Sequence, residues 1–169
     1  DAVDKIHTTA ESHHRIMVVE VMGRDAGWIA LEAGIAGGAH VILIPEIPFT
    51  VENVCKFVRA REGYGKRFTI VVVAEGVKLP PHLNEKRRAG SVGNLIGNAI
   101  ATSANKEVRV SVLGHIQRGG TPTPFDRILA TRFGVAAVDL IAQGGFGKVA
   151  CWRSGGLEAV DIIEPIGLL

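Results

Sequence analysis

Aromatic residues make up only 5% of this 169-residue chain, and it has two cysteines. Cys55 and Cys151 stand far apart with no CxxC spacing, which excludes a disulfide framework and a cysteine-built zinc site and points to a reducing, cytoplasmic setting. The longest uncharged apolar run, Ala39–Pro45, is far too short to span a bilayer. The opening Asp1-Ala2-Val3-Asp4 is acidic and lacks the basic and apolar regions of a secretory leader. Charge of one sign is also missing: 19 basic against 17 acidic residues leave a formal +2, no footprint for a nucleic-acid binder. The six histidines are scattered except for His13-His14, and adjacent side chains in an extended segment diverge, so no metal site is expected. No GxGxxG, GxSxG or HExxH motif occurs. Gly144-Gly145-Phe146-Gly147-Lys148 imitates the end of a phosphate loop, but Ala142 and Val149 stand where that loop needs Gly and Ser or Thr.

What is present is apolar and rich in glycine: 47% hydrophobic residues and 21 glycines, a mixture suited to α/β folds. Strand patterns alternate with helix patterns. Ile16–Met22, His40–Pro45, Phe68–Ala74 and Val108–Leu113 read as strands, the second apolar on both faces as buried parallel strands are. Between them, Trp28–Ala36 reads as a helix with Ile29, Ala33 and Ala36 on one face, and Val51–Arg61 as a helix capped by Thr50. Ser91 caps a helix through Asn94–Thr102, whereas residues 78–88, with two prolines and the Lys86-Arg87-Arg88 run, read as an exposed loop. Phe125–Ala142 carries the longest helical pattern, and Lys148–Trp152 and Glu158–Ile163 read as short strands around Ser154-Gly155-Gly156. The alternation predicts a three-layer α/β fold, a mostly parallel sheet with helices on both faces.

Ligands of such sheets bind beyond the carboxyl ends of the strands. There the first strand delivers Met22-Gly23-Arg24 before a helix, where glycines at 23 and 27 and the helix dipole favour an anion and Arg24 adds a charge-assisted fork. The second delivers Glu46, the third Glu75, and the fourth His115-Ile116-Gln117-Arg118-Gly119-Gly120. Cations suit a phosphate, and carboxylate and imidazole suit hydroxyls, so a phosphorylated sugar fits this inventory better than a nucleobase, which wants aromatic stacking. Plainer readings stand beside these: Glu46 as a solvated loop acid, Arg24 as a salt-bridge residue, Lys86-Arg87-Arg88 as a solvated charge run, and Glu20 as a paired or edge-facing strand acid.

Val19-Glu20-Val21-Met22-Gly23-Arg24, Ala36-Gly37-Gly38 and Leu113–Asp126 (LGHIQRGGTPTPFD) with Arg127-Ile128-Leu129-Ala130 resemble the 6-phosphofructokinase family, in order and over nearly the whole chain. The resemblance implies the second half of a two-lobed α/β enzyme. Residues 1–118 would form the fructose 6-phosphate-binding lobe, and residues 119–169 a segment that packs onto a donor-binding lobe. It implies that Arg15, Met22, Gly23, Arg24, Glu75, Arg109, His115, Ile116, Gln117 and Arg118 bind substrate, with Arg24 also stabilising transition-state charge. Arg15 and Arg109 match arginines that reach a neighbour's 6-phosphate across a subunit interface, which implies a homo-oligomer, dimer or tetramer. The cofactors implied are Mg2+ and ATP, or pyrophosphate, bound mainly outside these residues, so that this half alone is inactive. An effector site of bacterial members places an acid after the Gly-Gly pair and an arginine upstream; here His40 and His7 hold those positions. The residues themselves leave two other readings open, a non-catalytic sugar-phosphate-binding module and a flavodoxin-like signalling domain, although the acidic cluster or flavin loop of the latter is missing.

Overall fold

Two apolar runs, Ile16–Val21 and Thr69–Ala74, are covered on both faces and form the middle of a four-stranded sheet whose edges are less buried. The computed structural model describes residues 1–84 and 91–166, so the Lys86-Arg87-Arg88 run lies outside the described residues. The chain divides into two compact units, Asp1–Gly119 and Gly120–Leu169.

In the first unit, β1 (Ile16–Val21), β2 (Val41–Leu43), β3 (Thr69–Ala74) and β4 (Val108–Val112) form a parallel sheet in the order β2-β3-β1-β4. β1 and β3 occupy the middle and are buried along their whole length. Their side chains alternate between two cores, as the period of two requires. Val18, Val71 and Val73 pack with Val54 and Val58 of α3 (Val51–Gly63) and with Ile96 and Ile100 of α5 (Val92–Ala104). Met17, Val19, Ile70 and Val72 pack with Val3 and Ala10 of α1 (Ala2–His13) and with Ala30 of α2 (Trp28–Ala36). The three-layer arrangement is the one the alternation predicts.

Several local expectations give way. α1 lies where no helix was expected. Its signals were Asp1 before the helix and Val3, Ile6 and Ala10 at helical spacing, short and diluted by polar residues. His13-His14 is therefore no strand pair: His13 ends α1, and His14 is its left-handed cap at φ 55°. In α2 Ile29, Ala33 and Ala36 share one face, but the buried stripe is Ala30 and Gly34. A Cβ on Gly34 would stand 2.6 Å from Ile42 Cδ1, so the helix lies on β2 along its smallest residue. Ile29, Ala33 and Ala36 instead line a cleft of about 440 Å³ with Leu113 and Ile116. β2 is a three-residue edge strand, shorter than the expected His40–Pro45. The expected loop at 78–88 contains α4 (Pro81–Asn84). Thr50 and Ser91 cap α3 and α5 as expected, accepting from Asn53 N–H at 3.2 Å and Asn94 N–H at 3.3 Å.

The second unit holds α6 (Pro124–Ala142), the antiparallel pair β5 (Lys148–Arg153) and β6 (Gly156–Asp161), and α7 (Ile163–Ile166). Thr123 and Asp126 form a reciprocal capping box at the start of α6, with Pro124 opening the helix. Ser154 and Gly155, at φ 51° and 83°, make the two-residue turn that suits the twist of a hairpin. Leu129, Phe133, Ala136 and Leu140 are half-buried, while Phe125, Ile128, Val135, Val138 and Ile141 are exposed. Among the described residues, no helix is long and apolar enough to cross a membrane.

Candidate functional site

The carboxyl ends of β1, β3 and β4 lie side by side, and the residues that follow them meet in one network. Directly after β1, Met22 N–H donates to Gln117 Oε1 at 2.8 Å, so the segment leaving β4 is tied to the end of β1. Gly23 and Arg24 both donate their N–H groups to Glu75 Oε1, at 3.1 and 2.8 Å. Arg24 sits in the left-handed region at φ 52°, a conformation that costs a branched-out side chain about 1–2 kcal/mol. Gly23, at φ 154°, closes the turn by accepting from Ala26 N–H at 3.0 Å. The close approach of β3 requires glycine: a Cβ on Gly76 would lie 1.8 Å from the Arg24 carbonyl oxygen.

This network changes the reading of the turn. An anion was expected on the open amides before α2. Those amides are already taken by side-chain oxygens: Met22 by Gln117, Gly23 and Arg24 by Glu75, and Gly27 by Glu46 Oε1 at 2.8 Å. Carboxylates stand where the helix dipole would have drawn a phosphate. Among the described residues, the groups near this turn left to meet a phosphate are side chains: Arg24, which is exposed, and His115 and Arg118. Gly114–Arg118 is a 3-10 helix; it exposes His115, Ile116 and Arg118 and turns Gln117 inward. Glu46 is thus more than a solvated loop acid.

Two sequence-predicted residues lie elsewhere. Arg15 precedes β1 and Arg109 falls early in β4, paired with Met17, so both belong to the amino-terminal half of the sheet. At a strand rise of about 3.3 Å per residue, Arg15 is roughly 20 Å from Met22. The two arginines share one partner, Arg15 Nε at 2.8 Å and Arg109 Nη2 at 2.6 Å from the Glu107 carboxylate, whose pKa the Arg15 hydrogen bond and the arginine charges hold below the usual value. His7 and His40 come together with Phe68, with ring centroids 5.2–5.8 Å apart. The His40 ring Nδ1 accepts from Ile70 N–H at 2.9 Å. Burial first, then Arg61, His7 and Lys66, lower its pKa to about 4.

Sequence reasoning left Glu20 undecided. It is 7% exposed near the carboxyl end of β1 and accepts from Gly93 N–H at the start of α5. A Cβ on Gly93 would come within 2.9 Å of its carboxylate. Glu20 lines a cleft with Arg24, Asp25, Glu75 and Ser91. The usable signal was a lone acid inside an otherwise apolar central strand, a residue that must find a buried donor.

The phosphofructokinase family profile matches residues 1–141. An ATP-dependent 6-phosphofructokinase of Chloroflexus aggregans is 51% identical over 173 residues, an alignment that covers 100% of this chain and 48% of that relative. The chain thus spans about half the length of the curated relatives it matches. The structure of phosphofructokinase from Saccharomyces cerevisiae superposes with a TM-score of 0.84 at 35% identity, over 99% of this chain and 22% of that one. A pyrophosphate-dependent phosphofructokinase from Marinobacter aquaeolei shares the fold at a TM-score of 0.75 and 24% identity, over 95% of this chain and 43% of that one. With the GHIQRGG segment anchored to the MGR turn and the family profile covering most of its length, this chain belongs to the phosphofructokinase family.

Proposed function

We propose that the chain supplies the acceptor half of an ATP-dependent 6-phosphofructokinase and holds fructose 6-phosphate while its 1-hydroxyl receives a phosphoryl group. The observation that carries this reading is the Gln117–Met22 hydrogen bond, which sets the exposed His115 and Arg118 beside the turn that bears Arg24. His115 and Arg118 bind the sugar phosphate, and Arg24 neutralises charge on the group in transfer. Arginine suits both tasks because its planar fork makes paired charge-assisted bonds that a lysine cannot reproduce. The spare oxygen of Glu75 accepts from sugar hydroxyls, while its other oxygen holds Gly23 and Arg24 in place. Phosphoryl transfer depends on such positioning and charge neutralisation more than on covalent chemistry.

ATP as donor is supported by the names of the curated relatives. Mg2+ is assigned mainly to the half of the enzyme outside this chain, as the family resemblance implies. Arg15 and Arg109 are assigned to the 6-phosphate of a neighbouring subunit in a homo-oligomer. Their distance from the carboxyl-end network supports this. Residues 119–169 are assigned to packing on the donor-binding lobe, supported by the exposed apolar residues of α6.

Arg118→Ala tests the reading. Losing one charged partner of a phosphate is expected to weaken fructose 6-phosphate binding by about 2–4 kcal/mol, read by calorimetry. Unchanged affinity would remove the sugar phosphate from this end of the site.

A further inference from the structure

The turn that presents Arg24 is held at its near end by Glu75 and Gln117, both already assigned to the substrate. Its far end is held by a residue with no assigned role. Gly27 opens α2 without any side-chain cap, and α2 has no acidic residue in its first turn. Gly27 is buried, and its N–H has as side-chain partner Oε1 of the exposed Glu46 at 2.8 Å. The second Glu46 oxygen is also close: a Cβ on Gly27 would come within 2.7 Å of Oε2 and 2.4 Å of Ile44 Cβ. The close approach of the carboxylate and the missing Cβ therefore require one another. Between Gly27 and Gly23 lie only Arg24, Asp25 and Ala26, and the Ala26 N–H···O=C Gly23 bond makes them one turn. A displacement at Gly27 is passed along this turn to Arg24, whose left-handed backbone has little tolerance for it.

We propose that Glu46 is a positioning residue for Arg24: by holding the Gly27 N–H it fixes the far end of the Gly23–Gly27 turn. Its effect on the substrate site rests on the function proposed above; its effect on the turn does not.

The test uses Glu46→Ala and Glu46→Gln, with two readouts. The first is amide hydrogen exchange in the whole 169-residue chain at Gly23, Arg24 and Gly27, compared with the amides of β1 and β3. Glu46→Ala is expected to speed exchange at Gly27 by about tenfold, as for losing one hydrogen bond to a charged group, and, through the turn, to speed exchange at Gly23 and Arg24 by about threefold or more. The β1 and β3 amides should keep their protection. Glu46→Gln, which keeps an acceptor oxygen, should stay within about threefold of the original chain. The second readout is the fructose 6-phosphate affinity of an enzyme that carries this half, which should fall by about tenfold in the alanine variant and recover in the glutamine variant. Exchange at Gly23 and Arg24 that is unchanged, or that rises only in step with β1 and β3, overturns the proposal. An enzyme carrying this half whose fructose 6-phosphate affinity Arg118→Ala leaves unchanged, while the exchange pattern holds, overturns the functional reading instead and leaves the role of Glu46 in the turn supported.

Discussion

Replacing Glu75 by alanine removes one oxygen atom that two backbone amides share. The Gly23 and Arg24 N–H groups lie 3.1 and 2.8 Å from Glu75 Oε1. A hydrogen bond to a charged group contributes about 1.5–3 kcal/mol. Arg24 is exposed, so water takes over part of that work at its amide, whereas Gly23 is half-buried and recovers less. Loss of the carboxylate also frees the Arg24 backbone to leave its left-handed conformation, which regains about 1 kcal/mol for the polypeptide but abandons the turn. The expected net cost is about 2 kcal/mol, equivalent to a Tm lower by about 4–8 °C for a chain of this size. Glu75→Gln keeps an acceptor at neutral strength and should lose less than half as much. Urea unfolding of the chain and both variants measures this, provided the m-value stays constant and the transition remains two-state. A loss below about 0.5 kcal/mol for Glu75→Ala, with the Arg24 amide resonance unmoved, would refute the claim that this carboxylate builds the turn.

Gly76→Ala should cost more than about 3 kcal/mol, because its Cβ meets the Arg24 carbonyl oxygen at 1.8 Å and the atoms in the way are backbone; thermal unfolding reads it. His40 has its pKa lowered to about 4, so between pH 6.5 and 4 the unfolded chain binds the extra proton. Its contribution is thus complete above about pH 6.5 and lost as pH falls toward 4, by about 1–2 kcal/mol once solvent screening is allowed for. A stability–pH profile of His40→Gln should lack that slope, and an identical slope would assign it to other groups. If Arg15 and Arg109 serve a neighbour's substrate, mixing Arg109→Ala subunits with Arg118→Ala subunits of an enzyme that carries this half should restore some activity in verified hybrids. No recovery would place both arginines in their own subunit's site.

The layers of the fold were legible in the sequence because burial on both faces leaves a direct mark. Ile16–Val21 and Thr69–Ala74 are runs rich in β-branched residues, interrupted in the first by Met17 and Glu20, that the middle of a parallel sheet can cover. Caps were legible at Thr50 and Ser91 because a hydroxyl three residues ahead of a free amide is a local event. The edge and surface elements left weaker marks. α1 buries only Val3 and Ala10, so its pattern is faint, and α2 turned its small residues inward because its distance from β2 was set by Ile42. The candidate site divides in the same way. Residue types at the strand ends pointed to a phosphate and hydroxyls, since each strand end could be read alone. Whether the amides of Met22, Gly23, Arg24 and Gly27 were free depended on Gln117, Glu75 and Glu46, which lie 95, 52, 51 and 19 residues away along the chain. Those bonds form only because the strand order β2-β3-β1-β4 brings the segments that follow all four strands to the carboxyl end of the sheet. The sequence by itself therefore determined the chemistry available at that end, because composition and spacing are local. Only the tertiary structure decided which of those groups are consumed in building the turn and which remain to meet a ligand, because each hydrogen bond closes a loop through the whole sheet.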